Sequence, residues 1–238
     1  MEVRIGCCGW SALRPAGDVR GQHRLQLYAA RFSLVEVNST FYRIPRPETV
    51  RRWRDLADRM NPRFEFAVKA YRGITHTARF QGPQARDGFA RSLEVAHALR
   101  ARVLLLQSPP SFSPAPAHEE ALVRFLSEVD RNGLTLVWEP RGQWGEDPER
   151  VAAVCRELSL VHCTDPFRAL PVTGGMTYLR LHGSPPGTRM YRYTYTDQDL
   201  ARLRDCVLGL DADLVYVLFN NDTMASDAQR FVRMWGER

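Results

Sequence analysis

The chain lacks any apolar run close to the roughly 20 residues that a membrane-spanning helix needs, so no membrane partner is expected. Its first ten residues, MEVRIGCCGW, have no basic segment leading into an apolar one. That is not a secretory signal, and the cytoplasm is the default expectation. Cysteine is sparse. There are five, an odd number, with no Cys-x-x-Cys pair, and the adjacent Cys7 and Cys8 make a poor structural bridge. This does not suggest a disulfide scaffold, and buried thiols acting as small apolar groups are expected. No Gly-x-Gly-x-x-Gly fingerprint follows a strand, which argues against a dinucleotide fold. No histidine pair sits at helical spacing, so local pattern names no metal.

What is present is ordinary globular composition, 44% hydrophobic and 25% charged, over 238 residues. That suffices for a full core. The net charge of +6 and pI near 9.3 lean toward anionic partners, nucleic acid among them. The arginines are spread along the chain, however, as expected where arginine is simply the surface cation.

The chain is organised around Leu34–Pro45, LVEVNSTFYRIP. Leu34, Val35 and Val37 are strand formers, and alternation puts Glu36 and Asn38 on the face opposite Val35 and Val37. A helix over Pro47–Met60 follows. This strand–loop–helix unit recurs. Strands are predicted at Val3–Cys7, Phe64–Lys69, Val103–Gln107, Leu134–Glu139, Leu160–Thr164, Thr177–His182 and Leu214–Phe219. Helices are predicted at His23–Phe32 and at about 85–100, 119–131, 148–158, 197–208 and 224–235. No helical pattern follows the sixth strand, where Asp165–Gly175 is rich in proline and glycine. Eight alternating units without a linker predict one domain over residues 1–238. Its fold class is α/β, a (β/α)8 barrel of the TIM type with an irregular segment in place of the sixth helix.

Period-two alternation then selects the inward residues. Val137, Glu139 and Arg141 share one face of strand five, Tyr178, Arg180 and His182 one face of strand seven, and Ala67 and Lys69 one face of strand three. Gln107 ends strand four, and Asn220-Asn221-Asp222 follows strand eight. Barrel enzymes place their active sites at these carboxyl ends of strands.

A set of motifs makes the chain recognisable. They are Gly6-x-x-Gly9-Trp10, Val35-Glu36-Val37-Asn38-Ser39-Thr40-Phe41-Tyr42, Pro47-Glu48-Thr49-Val50-x-x-Trp53, Phe66-Ala67-Val68-Lys69-Ala70, Ile74-Thr75-His76, Gln107-x-Pro109-Pro110-Ser111-Phe112, Glu139-x-Arg141, Leu179-Arg180-Leu181-His182-Gly183 and Phe219-Asn220-Asn221. Together they resemble the domain of unknown function 72 family, the YecE-like proteins, over nearly the whole chain. The GCCG and EPRG forms look like an archaeal or thermophile-type branch. The resemblance implies a TIM-type barrel and no particular reaction. After Trp10 the chain departs from the family pattern with SALRPAGDVRG, which bears on any substrate contact of the first loop.

Glu36, Glu139 and His182 are the catalytic candidates, two carboxylates and an imidazole suited to general acid–base chemistry of hydrolase or isomerase type. The competing reading makes each glutamate the partner of Arg141, Arg180 or Lys69. Lys69 suits a Schiff base, though a charge partner or anion contact is the commoner role. Asn38, Lys69, His76, Gln107, Arg141, Arg180, Asn220 and Asn221 are the substrate-binding candidates. Glu36, Glu139, Asp165 and His182 are compatible with a divalent metal, but no local spacing favours one, and no cofactor is named. The basic excess and the loop His182–Arg189 point to a small anionic substrate, phosphorylated, carboxylated or sugar-like. The alternative is nucleic acid, through Arg43, Arg46, Arg51, Arg52 and Arg54 around Tyr42 and Trp53.

Overall fold

Proline punctuates this chain, and three of its helices begin on one. Pro47, Pro116 and Pro148 each open a helix, where the missing N–H costs nothing. The computed structural model describes residues 1–13, 22–183 and 190–236. Its strands are β1 (Glu2–Cys7), β2 (Leu34–Val37), β3 (Glu65–Lys69), β4 (Val103–Gln107), β5 (Thr135–Glu139), β6 (Val161–Thr164), β7 (Gly175–Leu181) and β8 (Ala212–Phe219). They hydrogen-bond in chain order, and β8 closes back on β1, the (β/α)8 topology. The helices are α1 (Arg24–Ala29), α2 (Pro47–Asp58), α3 (Gly82–Ala98), α4 (Pro116–Glu128), α5 (Pro148–Glu157), α6 (Asp197–Leu208) and α7 (Met224–Gly236). No helix lies between β6 and β7. Among the described residues no helix is long and apolar enough to cross a membrane.

Backbone contacts divide the chain into two compact units. The first is Met1–Glu36, Arg52–Glu65 and Thr164–Arg238; the second is Val37–Arg51 and Phe66–Cys163. In the first, β1 pairs with β8 along its whole length, and Gly6 and Cys7 pair with Leu34 and Val35. Gly6 is required there. A Cβ at that position would stand 2.0 Å from the Leu34 carbonyl oxygen. The Tyr28 hydroxyl fastens the same seam, accepting from the Cys7 N–H at 2.7 Å and donating to the Leu34 carbonyl at 2.8 Å. In the second unit, β4 and β5 pair from Val103↔Thr135 to Gln107↔Glu139, so these last two side chains stand side by side.

Several boundaries differ from the sequence pattern for local reasons. The first helix is shorter than His23–Phe32, because His23 is its N-cap and Nδ1 accepts the Leu25 N–H. Helices α3 and α4 each begin about three residues earlier than predicted, at the proline-bearing turns that apolar spacing does not reveal. Strand β7 starts at Gly175 and stops at Leu181, which leaves His182 in the turn beyond it.

Candidate functional site

In the first unit the site is built from the ends of β2, β6 and β7. Tyr178 and Arg180 lie two residues apart on β7 and therefore project together. Each takes one oxygen of Glu36. The Arg180 Nη2 donates to Oε1 at 2.8 Å, and the Tyr178 hydroxyl donates to Oε2 at 2.9 Å. All three side chains are buried. Burial at this level is tolerable only because the charges are paired and hydrogen-bonded. Arg180 also donates to the Cys8 sulfur at 3.6 Å and faces His182 Nε2 at 3.4 Å.

His182 is held from its other side. Its N–H donates to Asp165 Oδ2 at 3.0 Å, and its ring Nδ1 lies 3.5 Å from the same oxygen. With Arg180 donating toward Nε2, the proton belongs on Nδ1, facing Asp165. Asp165 Oδ1 accepts the Phe167 N–H, so this aspartate also shapes the turn after β6. The loop residues 184–189, which complete the anion-loop expectation, lie outside the described residues, as do residues 14–21 of the first loop.

Asn221 serves as a brace. Its Nδ2 lies within 2.9 Å of the Tyr193 carbonyl, the Thr223 hydroxyl and the Asp227 carboxylate, fixing the turn between β8 and α7. Asn220 donates its backbone N–H to the Leu181 carbonyl at 2.8 Å. Arg54, expected on a basic surface, is instead buried. It donates to the Phe64 carbonyl at 2.9 Å and pairs with Asp58 at 2.6 Å.

The second unit gathers Lys69, His76, Gln107, Glu139 and Arg141. Gln107 and Glu139 are register partners, and the Gln107 Nε2 donates to Glu139 Oε2 at 2.7 Å. Arg141 continues the same face in extended backbone and pairs with Glu139 Oε1 at 2.6 Å. Glu139, only 4% exposed, is thereby held as an oriented carboxylate.

Lys69 is the single lysine among 33 basic residues. It is buried at the end of β3 with its Nζ 4.0 Å from the centre of the Phe41 ring. A cation over an aromatic face is stabilised by the ring quadrupole. The same ring meets the edge of His76, with centroids 4.9 Å apart. His76 Nδ1 is 2.8 Å from the Thr75 hydroxyl, which fixes the imidazole. Burial, with Lys69, Arg72 and Arg141 nearby, lowers its pKa to about 4. It is neutral at pH 7.

The backbone that carries His76 is irregular. Gly73–Thr77 forms a π-helical turn, and Arg79 and Phe80 follow with φ of 49° and 62°. Two successive non-glycine residues in the left-handed region cost on the order of 1 kcal/mol each. Phe80 offsets this by burying its ring against Phe112 and Phe125. Such turns and strain are recurrent at functional sites.

Asn38 begins the neighbouring 3-10 turn, Ser39–Phe41. Its Oδ1 is buried and has no hydrogen-bond partner among the described residues. The Thr40 hydroxyl lies 2.6 Å from both the Val37 and Lys69 carbonyls, which ties this turn to β3.

Residue patterns passed over Tyr178 as the partner of Glu36, although it shares the face of Arg180. They also passed over Phe41 as the ring under Lys69, which no spacing announces. Among the described residues no group of three or more His, Cys, Asp or Glu is placed to hold a metal ion. The Glu36 oxygens, moreover, already serve Arg180 and Tyr178. The donor set does not fit a metal centre, and no step is derived through one.

The eight strands close into a parallel barrel with polar side chains gathered at strand ends. The chain belongs to the family described as protein of unknown function DUF72, whose model matches residues 4–238. The UPF0759 protein YunF of Bacillus subtilis is 25% identical over 93% of this chain and 89% of its own length. Two solved structures of DUF72 family proteins are similar. That from Thermotoga maritima has a TM-score of 0.79 at 23% identity, covering 100% of each chain. That from Enterococcus faecalis has a TM-score of 0.77 at 19% identity, covering 100% of this chain and 96% of its own.

Proposed function

We propose that the protein is an enzyme that uses acid–base chemistry, of hydrolase or isomerase type, on a small anionic substrate. The observation that carries the reading is His76, a half-buried imidazole kept neutral by burial first and by the surrounding Lys69, Arg72 and Arg141 second, and set against the Phe41 ring that also carries the Lys69 ammonium. Three cations bear on this histidine, and an anion bound beside them relieves the field they exert on it. Lys69 and Arg141 are the groups suited to take the charge. A bound dianion also raises the pKa of His76 from about 4 toward neutrality. General acid–base catalysis is most effective there. The substrate thus prepares the group that acts on it. Glu139, oriented by Arg141 and Gln107, is the second proton-handling group. Glu36, Arg180 and His182, in the first unit, hold one another in this reading, because their polar atoms are engaged with one another and with Asp165.

A calorimetric titration with inorganic phosphate, sugar phosphates and dicarboxylates tests it, using the wild type and Lys69→Gln. The expected result is saturable binding of at least one dianion, weakened about tenfold or more in Lys69→Gln with unchanged melting behaviour. Absence of binding by every anion in the wild type contradicts the reading. Equal binding in both proteins contradicts the role of Lys69.

A further inference from the structure

We infer that the anion taken at Lys69 and His76 is the phosphate of a nucleotide whose base stacks on Tyr42. This rests on the anion-binding reading above and names its substrate class.

Three features of one short stretch of chain carry it. The first is Tyr42 itself. Its side chain is 65% exposed. It is also firmly held. Its N–H donates to the Ser39 carbonyl at 3.1 Å, and its ring meets the Phe41 ring edge to face at 5.1 Å and 90°. The Thr40 hydroxyl anchors the preceding residue to β3. An exposed aromatic on a fixed backbone loses little entropy when it binds, which is what a stacking platform needs.

The second is that Phe41 joins this platform to the cations. It touches Tyr42, Lys69 and His76 alike. A phosphate at Lys69 and a planar ring on Tyr42 are therefore no farther apart than two groups on one shared aromatic ring, within the reach of a single nucleotide. A bare phosphate or a dicarboxylate leaves Tyr42 unused.

The third is Asn38 Oδ1, a buried acceptor at the start of the same turn without a partner among the described residues. A buried acceptor left unpaired costs free energy. Ribose hydroxyls and exocyclic amines are donors suited to pair with such an oxygen. Phosphate, donor and aromatic face are the three chemistries of a nucleotide.

The same chemistry is offered by a free nucleotide and by one unit of a single strand. Arg43 and Arg46 are exposed immediately after Tyr42, and they suit the neighbouring phosphates of a strand.

The experiment is competition binding on the intact protein. A fluorescent single-stranded oligonucleotide and a fluorescent mononucleotide are the probes. Inorganic phosphate, ribose 5-phosphate and unlabelled mononucleotides are the competitors. The base is expected to add at least about fivefold over ribose 5-phosphate, the low end for one base–aromatic stack. Tyr42→Ala is expected to erase that gain and leave phosphate binding intact, while Tyr42→Phe retains it. Oligonucleotide binding that exceeds mononucleotide binding and falls in Arg43→Ala/Arg46→Ala assigns the strand as source; equal binding assigns the free nucleotide. If ribose 5-phosphate and the mononucleotide compete equally, or Tyr42→Ala keeps the gain, this inference is overturned and the anion site stands. If no phosphate compound binds, both readings are overturned.

Discussion

Arg180 Nη2 and Glu36 Oε1 lie 2.8 Å apart, and neither side chain is more than 1% exposed. Removing either partner leaves the other charge uncompensated in the interior. Arg180→Ala is expected to lower unfolding stability by about 3–5 kcal/mol. Urea denaturation with an unchanged slope checks this. A loss under about 1 kcal/mol, the range of surface pairs, contradicts the buried pairing.

His162 contributes, together with His76, to the acid sensitivity of the second unit. Burial lowers its pKa to about 4, against a partial opposing pull from Glu139. A depressed histidine pKa means that the unfolded chain binds the proton more readily than the folded one. Its stabilising contribution is therefore full above the unfolded pKa of 6.5 and lost as pH falls from there toward 4. The loss attributable to His162 is on the order of 3 kcal/mol. His162→Gln is expected to flatten the stability profile between pH 6.5 and 4 relative to wild type. A parallel profile in the two proteins contradicts the assignment.

Gly6 is expected to tolerate no side chain. Gly6→Ala brings a methyl group against the Leu34 carbonyl and 3.0 Å from the Tyr28 hydroxyl, and the carbonyl belongs to a paired strand. The expected cost is about 2–3 kcal/mol, as for overpacked cores. Thermal unfolding measures it. Gly145→Ala, where an added Cβ meets nothing within 4 Å, is the control and is expected to melt close to wild type.

The enclosed thiols Cys7 and Cys155 are expected to be inert in the native state. Cys7 and Cys155 are fully enclosed, and burial pushes each thiol pKa up to about 12. Cys206 is only partly buried and is raised less by the same cause. Since the thiolate is the reactive form, an aromatic disulfide reagent is expected to titrate Cys206 first and all five only in denaturant. Rapid native labelling of Cys7 or Cys155 contradicts their enclosure.

Much of this was legible in the residues because alternation along a strand is strict. Glu139 and Arg141, or Tyr178 and Arg180, share a face through period two alone, and the resemblance named the barrel from the same motifs. The pairing of Gln107 with Glu139 was not legible, because register between strands is a tertiary property. Nor was the burial of Arg54. On the helix it sits beside the exposed Arg51 and Arg52, and only the packing against Phe64 and Asp58 turns it inward. The His76 corner escaped for a related reason. A π-helical turn followed by two left-handed residues is fixed by the packing of Phe80 and carries no glycine or proline signal at Arg79 or Phe80. Conversely, the gap between β6 and β7 was readable, since the proline and glycine of Asp165–Gly175 act locally.

The most direct test of the anion site is an NMR pH titration of the His76 imidazole, with and without inorganic phosphate. Without phosphate the resonance is expected to titrate near pH 4, because burial and the surrounding Lys69, Arg72 and Arg141 all oppose its protonation. Saturating phosphate neutralises part of that field, so the midpoint is expected to rise by a unit or more, the imidazole taking up its proton between the free and bound midpoints. A midpoint near 6.5 without phosphate, or one that phosphate leaves unmoved, contradicts the account.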